Sequence, residues 1–311
     1  MKKKWTYGLL MAGVLAAAVA AQQLASGSSQ GIFYRISGGK NEMFLLGSIH
    51  AGSREMYPMS LAIRNAIQNA DTMVYECDTA SPEAQQTTAQ MMKSEQPLSE
   101  RIAPECYNRL ERAAVKLGYS MASFERLEPW AVTSTLTLAA AAQEMESGSG
   151  KAASALGVEN MVRRQANGKR VQYLETVQEQ LGLMESFSAD LQEYLLDSAC
   201  HAVLEPENVS GSDADVERWP GWWKEGNAQA FADSYLLGLT KETDPELARE
   251  YHHALMTVRN RSMARLLQAM LENDEPHSYF VTVGLMHLVL PGDSVIAELE
   301  AMGYQIEQIK E

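Results

Sequence analysis

Hydrophobic and polar positions change their period along this chain, dividing it into two short β-rich ends around a long helical middle. Ile32 to Ile36 and Met43 to Leu46 read as strands. The Gly38-Gly39-Lys40-Asn41 stretch between them reads as a turn, which predicts a β-hairpin. Gly47-Ser48-Ile49-His50 follows the second strand. Pro58 is expected to open an amphipathic helix to about Ala70, and Thr72 to Tyr75 is a further apolar strand closing on Glu76-Cys77-Asp78. The C-terminal stretch repeats this order. Tyr279 to Val283 is a strand with Gly284-Leu285-Met286-His287 at its end. Pro291 precedes a helix from about Asp293 to Met302, Gly303 stops it, and Tyr304 to Ile309 is a strand. Strand, G-x-x-H, proline, helix, strand thus occurs at both ends, as a weak internal duplication.

Between the ends a helical period dominates. It predicts helices over Ser99–Leu117, Pro129–Met145, Ala152–Ala166, Thr176–Ala202, Gly221–Leu237 and Pro245–Glu272, interrupted by one strand from Arg170 to Leu174. Thr176-Val177-Gln178-Glu179 has the T-x-x-E form of a capping box. Glu146–Lys151 and Glu205–Trp219 read as loops. The fold class expected is α/β (mixed α+β): a central sheet formed by the N- and C-terminal halves, with a mainly helical middle region, all within residues 31–311.

Composition changes this picture at the N-terminus. Lys2, Lys3 and Lys4 precede an apolar run from Leu9 to Ala21 that ends in the small residues Val19-Ala20-Ala21, the pattern of a signal peptide over residues 1–21. Residues 22–30 then read as a Gln/Ser/Gly-rich linker. Export to the periplasm or out of the cell is expected. The alternative is an uncleaved membrane anchor, although the run is short for a span. Removing residues 1–21 takes away three Lys and no acid, moving the net charge from −14 to −17. So acidic a chain repels nucleic acid and anionic lipid. Cys77, Cys106 and Cys200 match no zinc-ligand spacing. They are expected as buried free thiols, with one optional disulfide.

HExxH, GxSxG and EF-hand patterns are absent. Gly148-Ser149-Gly150-Lys151 imitates the end of a P-loop, but Met145 stands where its first glycine belongs and Ala152 follows the lysine, so no nucleotide site is expected. The two G-x-x-H elements remain. A glycine at a strand end lets the backbone turn sharply, and the histidine three residues on then projects from the carboxyl edge, where open α/β sheets bind their ligands. Neutral imidazole is the commonest metal ligand, so His50 and His287 could converge on one ion. Glu76 and Glu175, both at strand ends, are the natural third ligand or base; the structural alternative is that each caps a helix or pairs with an arginine. Arg259 could clamp a carboxylate or an oxyanion. His252 and His253 point about 100° apart and cannot form a metal pair, and His201 and His277 read as surface or core residues. Trp219, Trp222 and Trp223 read as core anchors.

The run Tyr34-Arg35-Ile36, then Leu45 to His50 with Tyr57-Pro58 after it, resembles the start of the TraB/GumN family, which is related to the Tiki metalloproteases. Val74 to Asp78 is similar to that family's E-x-D strand end. Gly168-Lys169 with Leu174-Glu175-Thr176 and Glu179-Gln180-Leu181 is similar to its G-K…L-E-T-x-x-E-Q-L segment. Trp223-x-x-Gly226-Asn227, Arg259-Asn260 and Val283-Gly284-x-x-His287-Leu288 resemble the later motifs. The matches run in family order over nearly the whole chain beyond the N-terminal segment. Two departures stand out: Glu159 and Asn227, where the family usually has Asp. The resemblance implies a metal-dependent hydrolase, a peptidase in Tiki-like members, with a divalent metal (Mn, Co or Zn) as cofactor. Its TraB branch is linked to shutdown of peptide pheromones. The expected site is His50, His287 and Glu76 as metal ligands, with Glu76, Glu175, Arg259 and Asn260 as catalytic residues. A peptide or protein is the expected substrate, no nucleic acid is expected, and membrane contact is expected only through an uncleaved N-terminal segment. The alternatives are a non-catalytic envelope protein that captures a peptide or signalling molecule, and a haem or iron binder using histidine and Met286.

Overall fold

The computed structural model describes residues 27–50, 52–146, 154–205, 218–241 and 244–310. The signal segment, the P-loop imitation and most of the Glu205–Trp219 loop lie outside them. Six strands form one sheet: β1 (Ile32–Ser37), β2 (Glu42–Ser48), β3 (Thr72–Cys77), β4 (Arg170–Glu175), β5 (Ser278–Gly284) and β6 (Gln305–Gln308). Their order is β4-β3-β5-β2-β1-β6. The predicted hairpin is present, with Ile32 opposite Gly47 and Ile36 opposite Met43. The N- and C-terminal halves meet at the centre, where β2 runs parallel to β5 with Ser48 beside Gly284. β3 is parallel to β5 on its other side, and β4, from the middle of the chain, is parallel to β3.

In chain order the helices are α1 (Leu61–Asn69), α2 (Pro82–Met91), α3 (Pro104–Leu117), α4 (Pro129–Glu146), α5 (Val158–Gln165), α6 (Val177–Glu185), α7 (Ala189–Leu204), α8 (Trp219–Glu225), α9 (Ala228–Lys241), α10 (Pro245–His252), α11 (Arg259–Leu271), α12 (Met286–Val289) and α13 (Val295–Ala301). A π-helical turn, His253–Val258, joins α10 to α11. Alternation along the strands sends Leu46, Met73, Tyr75 and Phe280 to one face, where α1, α5 and Trp223 of α8 cover them. Leu45, Val74, Val281 and Val283 go to the other face, against Met263, Leu267 and Leu271 of α11 and Val295 and Leu299 of α13. A third apolar cluster contains no strand residue. It joins α3, α4 and α7 through Leu110, Leu136 and Leu196. Among the described residues no helix is long and apolar enough to cross a membrane.

Several boundaries differ from the sequence reading, each for a local reason. The first helix starts at Leu61, not Pro58, because Ser60 caps it by accepting from Ile63 N–H. The helix expected from Ser99 starts at Pro104, which takes the N1 position. That expected from Ala152 starts at Val158. Thr176–Ala202 is two helices, because Ser188 caps a new one at Leu191 N–H. Gly221–Leu237 is also two, because Gly226 takes a left-handed conformation at the end of α8. The Thr176–Glu179 capping box is present. α2 has no counterpart in the sequence reading, since its Gln/Thr-rich run carries little amphipathic pattern.

Trp223 is fully buried, and its indole Nε1 donates to the Gly47 carbonyl at 2.8 Å. It therefore anchors the first G-x-x-H motif as well as the core. Trp223→Phe keeps most of the apolar volume but leaves that buried carbonyl without its donor, so a loss of about 1–3 kcal/mol is expected. Trp223→Ala is expected to lose roughly 3–5 kcal/mol. Urea unfolding of the two variants measures both values; a Phe variant as stable as the native protein would show that the hydrogen bond does not hold the motif.

Candidate functional site

Because β2, β3, β4 and β5 are parallel, their carboxyl ends lie at one edge of the sheet. Glu76 is the penultimate residue of β3, Glu175 the last of β4 and Gly284 the last of β5, and His50 stands two residues beyond β2. The sheet thus gathers residues that are far apart in sequence.

Arg259, the first residue of α11, ties this edge together. Its Nε donates to both Glu175 oxygens, at 2.9 and 3.2 Å, and one terminal nitrogen donates to Glu175 Oε2 at 2.7 Å and also to Glu76 Oε1. Gln180 of α6 bridges the same carboxylates, donating to Glu76 Oε1 at 3.1 Å and Glu175 Oε2 at 2.9 Å. The Gly284 N–H donates to the other oxygen of Glu76 at 2.9 Å. Gly284 lies against both groups: a Cβ there would stand 3.4 Å from that oxygen and 3.5 Å from the His287 ring, ordinary contact distances. The sequence allowed Arg259 to clamp a carboxylate; the carboxylates it clamps are the protein's own.

His287 lies in the short helix α12 that follows the end of β5, and is buried. Its Nδ1 is 2.7 Å from Asn260 Oδ1. Asn260 is fully buried, and its Nδ2 faces the Asp293 carbonyl at 2.9 Å. A carbonyl only accepts, so the amide nitrogen must point to Asp293 and the amide oxygen to His287. Nδ1 therefore carries the proton, which leaves the Nε2 lone pair free in the neutral ring. Burial pushes the His287 pKa down to about 4; the Arg259 charge adds to this, while Glu76 and Asp293 oppose it. For Glu76 burial works upward, but the charges of His287 and Arg259 and the Gly284 N–H outweigh it, and the pKa lies below the usual carboxylate range. At neutral pH His287 is uncharged, so Arg259 and the Gly284 amide are what hold Glu76 ionised.

His50 is exposed and lines a cavity of about 240 Å³ together with Glu76, Cys77, Glu159, Asn160 and Gln180. The Ile49 carbonyl accepts from Val158 N–H at 3.1 Å, and a Cβ on Gly52 would overlap the Leu156 carbonyl oxygen. These contacts lock the loop carrying His50 to the loop before α5. Burial, with the nearby Glu175 and Glu76 charges, pushes the Cys77 thiol up to about 11, so it is no nucleophile. Among the described residues, no three of His, Cys, Asp and Glu already stand together as a ligand set. Of the two departures, Glu159 lines the cavity and pairs with Arg163 at 2.8 Å, whereas Asn227 caps α9 by accepting from Ala230 N–H. Cys77, Cys106 and Cys200 are free and buried.

Sequence reasoning gave no role to Gln180, although it noted the segment that carries it. It also set His252 aside. Its imidazole pairs with Asp293 at 2.9 Å, next to Asn260. His277 pairs with Asp71 at the opposite end of β5, and His201 is half-exposed beside Asp197.

Residues 32–308 match the model of the TraB/PrgY/gumN family. The chain belongs to this family. It is also 24% identical, over 255 residues, to the uncharacterized protein YbaP of Escherichia coli (strain K12), covering 82% of this chain and 87% of that protein. The YbaP of Shigella flexneri matches with the same identity and coverage. No solved structure matches the chain. The family match spans all six strands and both G-x-x-H motifs, so the cluster at the sheet edge is built entirely from family positions.

The neutral, buried His287 gives stability a pH dependence. Its folded pKa of about 4 lies below its ordinary 6.5, so between these values the unfolded chain binds a proton that the folded chain refuses. Stability is then expected to fall as pH is lowered through this window, by roughly 1.4 kcal/mol per pH unit. The depressed Glu76 carboxyl adds a loss at lower pH, as the carboxylate protonates. Urea unfolding in chelator across the window should show the first slope in the native protein and not in His287→Gln. Equal slopes in the two would mean that the imidazole is not buried neutral.

Proposed function

We propose that the protein is an exported, metal-dependent hydrolase acting on peptides. One observation carries this reading: an ionised carboxylate, Glu76, and a neutral imidazole with a free Nε2, His287, stand side by side at the carboxyl edge of the sheet, where a cavity opens past His50. A mixed imidazole and carboxylate donor set suits Mn, Co or Zn. His50, His287 and Glu76 would hold the ion, with His50, the exposed member, completing the set. When bound, the ion would lower the pKa of a water molecule and so supply the nucleophile at neutral pH.

Glu76 and Glu175 then have different roles. Both Glu175 oxygens are taken by Arg259 and one of them also by Gln180, so this residue buttresses the site. Glu76 Oε2 accepts the Gly284 N–H and is not held by Arg259, which leaves this oxygen as the one to face an ion. Arg259 holds the two carboxylates together and keeps Glu76 charged. Asn260 fixes the His287 tautomer, as outer-shell partners of metal-bound histidines commonly do. Family membership supports hydrolysis through the Tiki resemblance, and the basic and apolar N-terminal run supports export.

Calorimetric titration of the protein with Mn²⁺, Co²⁺ and Zn²⁺ is expected to show about one ion per chain. The double variant His50→Ala/His287→Ala should lose this binding, and Glu76→Gln should weaken it by at least the ~10–100-fold that outer-shell losses cost. A peptide library should be cleaved only with the ion present. Native protein that binds no ion would leave capture of a ligand without turnover as the function of the cavity.

A further inference from the structure

A second polar network lies behind His287, of which the proposed function uses Asn260 alone. Asp293, in the loop between α12 and α13, sits at its junction. Its Oδ2 accepts from His252 Nε2 at 2.9 Å and from the Thr257 hydroxyl. Its main-chain carbonyl and Oδ1 accept from Asn260 Nδ2, at 2.9 and 3.3 Å. The Tyr235 hydroxyl lies 3.1 Å from the other nitrogen of His252. A continuous chain of polar contacts thus runs from His252, through Asp293 and Asn260, to His287.

The helix is irregular where it serves this network. In an uninterrupted α-helix, positions four apart share a face, so 252, 256 and 260 would line up. Through the π turn at His253–Val258 residues five apart align instead, so Thr257 joins His252 on that face, and Asn260 follows three residues further on. A hydroxyl therefore meets Asp293 where a regular helix would bring Met256. Turns of this kind occur frequently at functional sites. Just beyond it, neighbouring residues serve two parts of the site, with Arg259 on the two glutamates and Asn260 on His287.

We propose that Asp293 is a positioning residue of the site: held by His252 and Thr257, it fixes the Asn260 amide and, through it, the Nδ1–H tautomer and heading of His287. The proposal rests on the metal-hydrolase reading only in taking His287 as a functional group; the tautomer itself is measurable without metal or substrate.

The test is long-range proton–nitrogen NMR of the full chain carrying ¹⁵N-labelled histidine, alongside Mn²⁺ titration. The native protein should show His287 as one neutral tautomer protonated at Nδ1. Asp293→Ala and Thr257→Val should each give a mixture of tautomers and weaken Mn²⁺ binding by about 10–100-fold. Thr257→Ser, which restores the hydroxyl, should recover both properties. If Asp293→Ala does not fold, Thr257→Val carries the test, since it replaces one hydroxyl with a methyl of similar size. A native His287 protonated at Nε2 overturns the proposal. So do folded variants that keep the single tautomer and bind Mn²⁺ within about twofold of native. Native protein that binds none of Mn²⁺, Co²⁺ and Zn²⁺ defeats the hydrolase reading instead, and the tautomer spectra still decide the role of Asp293.

Discussion

The site depends on one interaction, the burial of the Arg259 guanidinium between Glu76 and Glu175. Two carboxylates at adjacent strand ends repel each other, and a poorly hydrated place screens that repulsion weakly. A single cation that reaches both offsets it. The arrangement is demanding, since removing one partner of a buried ion pair typically costs about 3–5 kcal/mol by stranding the other. Gln180 and the Gly284 amide share the load, and no oxygen of the pair lacks a donor.

Around that cluster the chain uses the same device twice. Each G-x-x-H motif ends one of two neighbouring parallel strands, β2 and β5, with their glycines one register step apart. The surroundings then separate the histidines. His50 is exposed at the cavity, whereas His287 is buried on Asn260. Similar sequence signals thus yield one adaptable group and one fixed group, a useful division where a ligand must enter and then be held.

Much of this was legible in the sequence. Period-two alternation and the turn residues marked the strands, and the glycine–histidine spacing marked the sheet edge. The capping box placed the start of α6, directly after Glu175. What remained hidden was long-range or irregular. Arg259 meets partners 84 and 183 residues away, so the sequence could name a carboxylate clamp but not the two carboxylates it holds. The π turn leaves no mark in hydrophobic periodicity, because Ala254, Leu255 and Met256 fit an α-helix equally well. His252 was set aside on another ground, that it and the adjacent His253 cannot share a helix face, which says nothing of the partner it meets in Asp293. The splits at Ser188 and Gly226 follow known capping chemistry, but a continuous apolar period across them masked it.

The hairpin has a consequence for how the molecule faces its surroundings. β1 is antiparallel to β2, and Ile32 stands opposite Gly47, so the backbone enters the sheet at the edge that carries the cavity. Ser29 and Gln30 are tied there, to Pro58 and Lys224. Whatever stands upstream of Ser29 therefore joins the fold beside the mouth of the site and not at the far end of the sheet.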